Sequence, residues 1–261
     1  MALPFDTSVP SVARMYDVLL GGKDHFESDR AAVAKIVELE PEAPLVARRN
    51  RDYLRRTVRY LAGEVGIRQF LDVGSGLPSA GNTHEVAQEV APTARVVYVD
   101  NDPIVLTHAR ALLTSSPQGA CDYIDADIRD TEAIISGAAG TLDFREPVAV
   151  MLLAILHFIA DKDDPWALVG RLMAAVPPGS YLVVSHALSE DLTGNQLEGL
   201  NAVYAETRSG GVTQRSLPAI ARFFDDLELA EPGLVEISSW RPDTVAQPPR
   251  ALFYGGVGRK P

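Results

Sequence analysis

The chain has 261 residues, 46% of them hydrophobic and 23% charged, so it can bury a sizeable core as one domain or a domain with an appendage. Its 24 Lys and Arg residues against 35 Asp and Glu residues give a formal net charge of −11, which argues against nucleic acid as a partner. A single cysteine, Cys121, excludes an internal disulfide framework and a cysteine-rich zinc site, and it fits a reducing, cytoplasmic location.

The sequence predicts neither export nor membrane insertion. Residues 1–10 lack the basic and apolar regions of a secretory signal. The longest apolar run, Val148–Ala160, is interrupted by His157 and is shorter than the roughly 18 residues that a membrane span needs. We interpret this run as a buried strand and its exit.

The first 64 residues form a predicted helical extension. Apolar residues recur there at helical spacing, without strand-like alternation. The predicted helices are Ser11–Leu20, Ser28–Leu39 and Ala43–Gly63. Residues 65–261 then form the predicted second unit.

From Arg68 onward, short apolar and β-branched runs alternate with helical stretches, which is typical of βαβ units in a mostly parallel sheet. Five strands are predicted at Gln69–Val73, Arg95–Val99, Ala120–Ile124, Val148–Leu153 and Tyr181–Ser185. Helices are predicted at His84–Val90, Pro103–Leu113, Thr131–Ser136, Pro165–Val176, Asp191–Glu206 and Leu217–Phe224. Two late strands, Leu234–Ser238 and Ala251–Gly255, are close enough to form an antiparallel hairpin at one sheet edge.

A glycine loop follows the first predicted strand. Gly74, Ser75 and Gly76 come directly after it, with Asp72 two residues before the first glycine. Two glycines allow a tight turn and a close approach of the backbone to a ligand, although such a turn can also be purely structural. A dinucleotide fingerprint has a third glycine where this chain has Ser79, so the loop departs from the pyrophosphate-binding pattern.

Acidic residues follow the next two strands. Asp100 lies 26 residues beyond Gly74 and can accept hydrogen bonds from both ribose hydroxyls of a nucleoside. Asn101 or Asp102 can equally cap the helix that begins near Pro103. Asp127 could accept from an adenine amine while Ile128 covers the ring; alternatively, this segment is a solvated acidic turn.

Together these motifs resemble class I S-adenosylmethionine (SAM)-dependent methyltransferases. The resemblance extends over nearly the whole chain to an actinobacterial family of S-adenosyl methyltransferases, formerly a domain of unknown function. It rests on Ala13–Asp24, Gly76–Pro78, Asn82–Ala87, Val97–Pro103, Glu231–Leu234 and Trp240–Asp243. It implies a Rossmann-like, doubly wound α/β fold whose seven-stranded, mostly parallel sheet has an antiparallel last strand.

The resemblance also implies SAM as the cofactor and assigns roles by position. Gly74 and Gly76 would approach the methionine portion, Asp100 the ribose, and Asp127 with Ile128 the adenine. Asp72 would organise the loop and orient the amino group. The flanking Ser75 and Asn101 join this predicted cofactor site.

Three further residues are candidates for cofactor contact. His84 could support the methionine carboxylate, although Asn82 and Glu85 around it form a capping-box pattern that favours a structural role. Tyr16 and Gly22 could belong to a lid that folds over the cofactor. The alternative for Gly21 and Gly22 is ordinary helix termination.

Two histidines are candidate catalytic bases. His157 and His186 follow the fourth and fifth predicted strands, where the reacting groups would lie. An imidazole can deprotonate a hydroxyl or amine, yet proximity alone often serves methyl transfer, so a structural role stays open for each. His157 is the stronger candidate.

Two arginine-containing segments have less specific interpretations. The cluster from Arg48 to Arg59 is predicted to be a solvated helix face. The segment Tyr204–Arg215 is predicted as a loop that either contacts an anionic acceptor or is an exposed connector. The many acidic residues leave metal dependence open, although no tight His/Asp ligand spacing is visible.

We therefore expect a SAM-dependent methyltransferase that acts on an oxygen or nitrogen of a small molecule. The alternatives are a regulatory module that binds SAM or its demethylated product, S-adenosylhomocysteine (SAH), and a less favoured NAD-dependent oxidoreductase. Fold analogy identifies no methyl acceptor, and the oligomeric state stays open.

Overall fold

The computed structural model describes residues 6–112, 115–243 and 252–261. The described residues form nine α-helices: α1 (Val12–Leu20), α2 (Glu27–Leu39), α3 (Ala43–Arg59), α4 (Thr83–Val90), α5 (Pro103–Leu112), α6 (Thr131–Ala138), α7 (Pro165–Ala174), α8 (Gly194–Ala205) and α9 (Leu217–Ala221). They form eight strands: β1 (Gln69–Val73), β2 (Arg95–Asp100), β3 (Ala120–Asp125), β4 (Ala149–Leu153), β5 (Tyr181–Ala187), β6 (Glu228–Leu229), β7 (Val235–Glu236) and β8 (Phe253–Arg259). A π-helix, Tyr60–Val65, extends α3.

All eight strands belong to one sheet, in the order β3-β2-β1-β4-β5-β8-β6, with β7 also paired to β8. Strands β1 to β5 are mutually parallel, and β8 runs antiparallel to β5. This confirms the predicted Rossmann-like fold with seven strands and an antiparallel last strand; the two-residue β7 is an addition. Because β1 is flanked by β2 and β4, the strand order reverses there, and the loops after these strands open a crevice.

The elements with strong local patterns lie close to their predicted positions. The five predicted parallel strands and all nine predicted helices are present, with small shifts at their ends. Leu113, the last residue of the predicted helix from Pro103, lies outside the described residues. Strand β5 is two residues longer than predicted, and this changes the placement of His186.

The last part of the sheet differs more from the prediction. The two late strands do pair antiparallel, but β7 covers only Val235–Glu236, because a 3-10 turn follows at Ile237. Strand β8 is an interior strand with neighbours on both sides, not an edge strand. It continues to Arg259, whereas Ala251, the start of its predicted range, lies outside the described residues.

Glycines weakened the sequence signal of β8. A Cβ at Gly255 would lie 2.8 Å from the Tyr53 ring, and one at Gly258 would lie 2.9 Å from Phe224. These glycines allow helical segments to pack directly against the strand. Close tertiary packing, and not strand propensity, therefore explains the composition of β8.

The helical N-terminal segment is held against the sheet, and its helices are linked to each other. The fully buried Tyr53 hydroxyl of α3 contacts the carbonyl oxygens of Val184 in β5 and Gly256 in β8, at 3.3 and 2.9 Å. Between α1 and α2, the buried Asp29 carboxylate accepts hydrogen bonds from Arg14 Nε at 2.8 Å and from the Ser11 amide at 3.0 Å. The division into units at residue 64 stays a prediction. None of the described helices has the length and apolarity to cross a membrane.

Candidate active site

A cavity of about 410 Å³ lies where the carboxyl ends of the parallel strands meet the helical N-terminal segment. Loops after β1, β2 and β3 line one end, which we call the strand-side end: Gly74, Gly76, Asp100, Asp127 and Ile128. Helices α1, α2 and α8 and the segment before α8 line the other, which we call the helix-side end: Met15, Leu19, Ile36, Leu192, Leu200 and Tyr204. The volume is in the range of small-molecule sites.

The glycine loop after β1 has the conformation that its two glycines allow. Gly74 and Gly76 have φ values of +77° and +65°, in the left-handed region that other residues rarely adopt. A Cβ at Gly74 would lie 2.6 Å from the Ile155 side chain, so this glycine is required for packing. Gly76 lines the cavity, and a Cβ there would meet no atom within 4 Å, so this backbone leaves room for a ligand.

Asp100, at the end of β2, is fixed beside this loop. Its carboxylate accepts hydrogen bonds from the amides of Gly76, at 2.8 Å, and Asp102, at 3.0 Å. Burial raises the pKa of Asp100 to about 6 despite these two bonds. A carboxylate has about four lone-pair positions, so acceptor capacity remains for hydroxyl donors. Asp100 lines the cavity and fits the ribose of a nucleoside, as predicted.

Asp72 also lines the cavity, from within β1. Its carboxylate accepts a hydrogen bond from the Thr83 hydroxyl at 2.6 Å, which ties the start of α4 to β1. Burial raises the pKa of Asp72 to about 6. At the end of β2, Asp102 is the residue that caps α5, because its carboxylate accepts a hydrogen bond from the Ile104 amide at 2.9 Å.

The residues after β2 and β3 are joined by side-chain hydrogen bonds. Asn101 Nδ2 donates to Asp127 Oδ2 at 3.0 Å, and the amide of Arg129 donates to Asp127 Oδ1 at 2.8 Å. Ile128 is buried and lines the cavity beside them. Ser75 lines it as well, with its hydroxyl 2.6 Å from that of Tyr123. An adenine-sized ring could therefore lie against Ile128, with polar groups at its edge.

His157 lies in the segment that follows β4. The chain turns sharply at Ala154, a non-glycine residue with a φ of +53°, and His157 then lines the cavity while remaining buried. Its Nδ1 atom is buried and has no hydrogen-bond partner among the described residues. Burial, and then the proximity of His186 and Arg215, lower its pKa well below the ordinary value, so the ring is neutral near pH 7.

His186 does not line the cavity. Because β5 continues through Ala187, His186 is a strand residue rather than the first residue of a loop, and both ring nitrogens are engaged. Its Nδ1 lies 2.8 Å from the Ala187 carbonyl, and its Nε2 lies 2.8 Å from Arg215 Nη1. Since arginine only donates, Nε2 is the acceptor, and burial lowers the pKa of His186 to about 3. This placement argues against the predicted direct role in catalysis.

Arg215 is neither an exposed connector residue nor available to an anionic acceptor. It is buried, and it donates to the carbonyl oxygens of Leu156 at 2.9 Å and Ile159 at 2.7 Å. It also pairs with Asp161 at 2.7 Å. These bonds fix the backbone on both sides of His157.

Two other predicted contacts lie away from the cavity lining. His84 is buried between α4 and β2, where its backbone amide and ring Nδ1 each lie 2.8 Å from the Tyr98 hydroxyl. Gly22 is exposed, and a Cβ there would overlap the Asp17 side chain, so this glycine serves the end of α1. Neither position supports a direct contact with a ligand in this cavity.

Tyr16 does line the cavity, as part of a hydrogen-bonded chain. Its hydroxyl donates to the Ala47 carbonyl at 3.0 Å and accepts from Asn50 Nδ2 at 3.0 Å. Asn50 Oδ1 accepts in turn from the Ser185 hydroxyl at 2.6 Å. This chain connects α1, α3 and β5 across the cavity wall.

Two polar cavity residues of α3 were not predicted from the sequence. Asn50 and Arg51 both line the cavity, although the arginine cluster was interpreted as a solvated face. Arg51 donates to the Gly81 carbonyl at 3.0 Å, near the start of α4, and its charge acts on Asp72 of β1. No motif marks these residues, because their role depends on how α3 packs over the sheet. In the described part of the chain, no group of His, Cys, Asp or Glu side chains is arranged to hold a metal ion.

Comparisons with known proteins place this site in a family. A family model described as S-adenosyl methyltransferase matches residues 2–261. A DUF574 family protein from Streptomyces avermitilis has 42% sequence identity and a TM-score of 0.93, with 98% of this chain and 99% of that chain covered. A candidate methyltransferase from Thermobifida fusca has 44% identity and a TM-score of 0.89, with 98% and 96% covered. No curated protein matches the chain.

More distant structures share the fold alone. The N-methyltransferase NodS from Bradyrhizobium japonicum, in complex with SAH, has 15% identity and a TM-score of 0.51, over 95% of this chain and 99% of that chain. The predicted resemblance and the predicted cofactor are confirmed by the family match. The chain belongs to the S-adenosyl methyltransferase family and is a SAM-dependent methyltransferase.

Proposed function

We propose that this enzyme transfers a methyl group from SAM to an oxygen or nitrogen atom of a small molecule bound in the described cavity. The observation that carries the proposal is the composition of the cavity lining: polar groups suited to a nucleoside follow the parallel strands, and apolar side chains come from the helices. A small molecule at the helix-side end would be held within the protein, as small-molecule sites usually require.

The strand-side end is the proposed cofactor site. Asp100 would accept the ribose hydroxyls, Ile128 would pack against the adenine, and Asp127 and Asn101 would lie at its edge. The loop from Gly74 to Gly76, with Ser75 between them, would lie along the methionine portion. Asp72 and Tyr16 would border this portion, and we add Arg51 as a cation that would pair with the methionine carboxylate.

His157 is the proposed catalytic base. SAM supplies a methyl group on a positively charged sulfur, and the acceptor oxygen or nitrogen must release a proton when it takes that methyl group. A neutral imidazole can accept this proton, and His157 is a neutral imidazole in the cavity lining whose Nδ1 has no hydrogen-bond partner among the described residues. Arg215 would position His157 through the two carbonyl groups that it binds.

The regulatory alternative makes a different prediction. A module that only senses SAM or SAH would bind both but yield no methylated product. A nicotinamide-dependent reaction is not proposed, since the family uses SAM. A cytoplasmic location, an actinobacterial origin and the absence of a nucleic-acid partner stay predictions of the sequence.

The proposal can be tested with SAM that carries a deuterated methyl group. The enzyme would be incubated with this donor and a metabolite extract, and labelled products would be detected by mass spectrometry. We expect a labelled small molecule with the native enzyme and none with Asp100→Ala. We expect about 10²-fold to 10⁴-fold slower labelling with His157→Gln, with unchanged SAH affinity.

Two results would contradict the proposal. Label found only in protein or RNA would exclude a small-molecule acceptor. Labelling that His157→Gln leaves at the native rate would remove His157 from catalysis while keeping the methyltransferase activity.

A further inference from the structure

The helix-side end of the cavity is lined by residues of a separate hydrophobic cluster. Helices α1, α2, α3 and α8 meet in a cluster that is distinct from the two clusters packed on the faces of the sheet. Residues of this cluster or packed against it that line the cavity include Met15, Leu19, Ile36, Leu192, Leu200 and Tyr204. A molecule in this end would therefore be surrounded mainly by aliphatic and aromatic side chains.

Most polar side chains near this end are already engaged with the protein. The Tyr16 hydroxyl and the Asn50 amide bond to each other and to α3 and β5. Glu40 lines the cavity too, but its carboxylate accepts from the Glu42 amide at 3.2 Å and from Gln196 Nε2 at 3.4 Å. These groups have less capacity to replace the water that a charged ligand would lose on binding.

Four polar side chains in the lining differ from these. Arg208 and Gln214 make no side-chain hydrogen bond with another described residue, but Arg208 is exposed, so its charge stays in water. His157 Nδ1 and the Tyr204 hydroxyl likewise have no hydrogen-bond partner among the described residues. An aromatic row connects the two residues, because the Phe158 ring lies 4.4 Å from the His157 ring and 5.4 Å from the Tyr204 ring. Burial raises the pKa of Tyr204 to about 12, so both groups are uncharged near pH 7.

From this lining we infer that the methyl acceptor is an uncharged, largely apolar molecule that carries a hydroxyl group. Its apolar body would fill the helix-side end, and its hydroxyl would reach His157 or Tyr204. This inference rests on the proposed function, because it assigns this end of the cavity to the acceptor. Of the two methylated atoms in the proposed function, oxygen and nitrogen, this inference selects oxygen.

Three naphthalene derivatives of similar shape but different charge test the inference. They are 2-naphthol, naphthalene-2-carboxylate and 2-(aminomethyl)naphthalene, which are neutral, anionic and cationic near pH 7. Calorimetric titration into protein saturated with SAH would measure each affinity, after a separate titration has established that SAH binds. We expect 2-naphthol to bind at least about 10-fold more tightly than either charged probe, because a buried charge without a partner is costly.

A matched pair of variants locates the probe. Leu200 and Val203 both lie on α8, in the same cluster and with similar burial, but only Leu200 lines the cavity. We expect Leu200→Asn to lower the affinity for 2-naphthol by about 10-fold or more and Val203→Asn to leave this affinity unchanged. Both variants should retain SAH binding. The probe comparison needs only the native protein, so it stands if a variant does not fold.

The outcomes separate this inference from the proposed function. If SAH binds but a charged probe binds as tightly as 2-naphthol, or if 2-naphthol does not bind, the inference is overturned while the cofactor site stands. If SAH itself does not bind, the proposed function fails, and this inference fails with it.

Discussion

Adding one methyl group at Gly76 tests whether the glycine loop borders the cofactor. Gly76 lines the cavity with a φ of +65°, and a Cβ there would meet no protein atom within 4 Å. Gly76→Ala therefore has two separable effects: backbone strain, and a methyl group in the space assigned to the cofactor.

Gly21 provides the control for strain. It ends α1 with a φ of +77°, and a Cβ there would also meet no atom within 4 Å, but Gly21 does not line the cavity. A left-handed conformation costs an L-residue about 1–2 kcal/mol, so Gly21→Ala and Gly76→Ala should lose similar stability. For a chain of this size we expect each kcal/mol to lower Tm by about 2–4 °C.

Affinity for SAH should separate the two variants. Forcing a methyl group into a filled space costs about 1–3 kcal/mol, which corresponds to roughly 5-fold to 150-fold weaker binding. Calorimetric titration with SAH should show this loss for Gly76→Ala and native affinity for Gly21→Ala, while a thermal melt shows similar Tm values. Native SAH affinity in Gly76→Ala would refute the placement of the cofactor along this loop.

Further predictions concern the carboxylates. Hydroxyl groups donate more strongly to the ionised form of Asp100, and burial raises the pKa of this carboxyl to about 6. Calorimetry should therefore show that the affinity for SAH falls as the pH drops through 6. Asp100→Asn should bind SAH weakly and without dependence on pH, and an equally flat pH profile in the native protein would contradict the role of Asp100 in ribose binding. Burial also raises the pKa of Asp72 to about 6, so its stabilising contribution is complete below pH 3.8 and lost as the pH rises through 6. Asp72→Asn should therefore be more stable than the native protein at pH 7, by an amount on the order of 1–3 kcal/mol in urea unfolding, and the gain should vanish near pH 4. Removing the partner of a buried cation is costly, so Asp29→Ala should lose about 3–5 kcal/mol in the same assay by leaving Arg14 unpaired; a loss below 1 kcal/mol would show that this pair is not important for stability.

Residues marked by local patterns could be located from the sequence. Gly74, Gly76 and Asp100 directly follow or end strongly apolar strands, and parallel strands carry their carboxyl ends to one edge of the sheet. That edge is where the cavity lies, so the strand-side end follows from chain order alone. The helical segment before β1 was equally clear from its periodicity.

Residues whose placement depends on tertiary packing could not be located in this way. Successive strand residues point to opposite faces, so a two-residue error in the end of β5 moved His186 from a predicted loop into the strand, where it faces Arg215 while Ser185 faces Asn50. Arg51 lies within an arginine-rich helix that suggests a solvated face, and only the packing of α3 brings it to the cavity. The composition of β8 depends on packing in the same way, because its glycines leave room for the Tyr53 and Phe224 side chains.

A crystal structure of the protein with SAH would test the central claim most directly. We expect SAH at the strand-side end, with its ribose hydroxyls on the Asp100 carboxylate, its adenine against Ile128 and its sulfur toward His157. The helix-side end should then stay open for an acceptor. SAH bound at the helix-side end, or in a pose that leaves Asp100 without contact, would contradict the account.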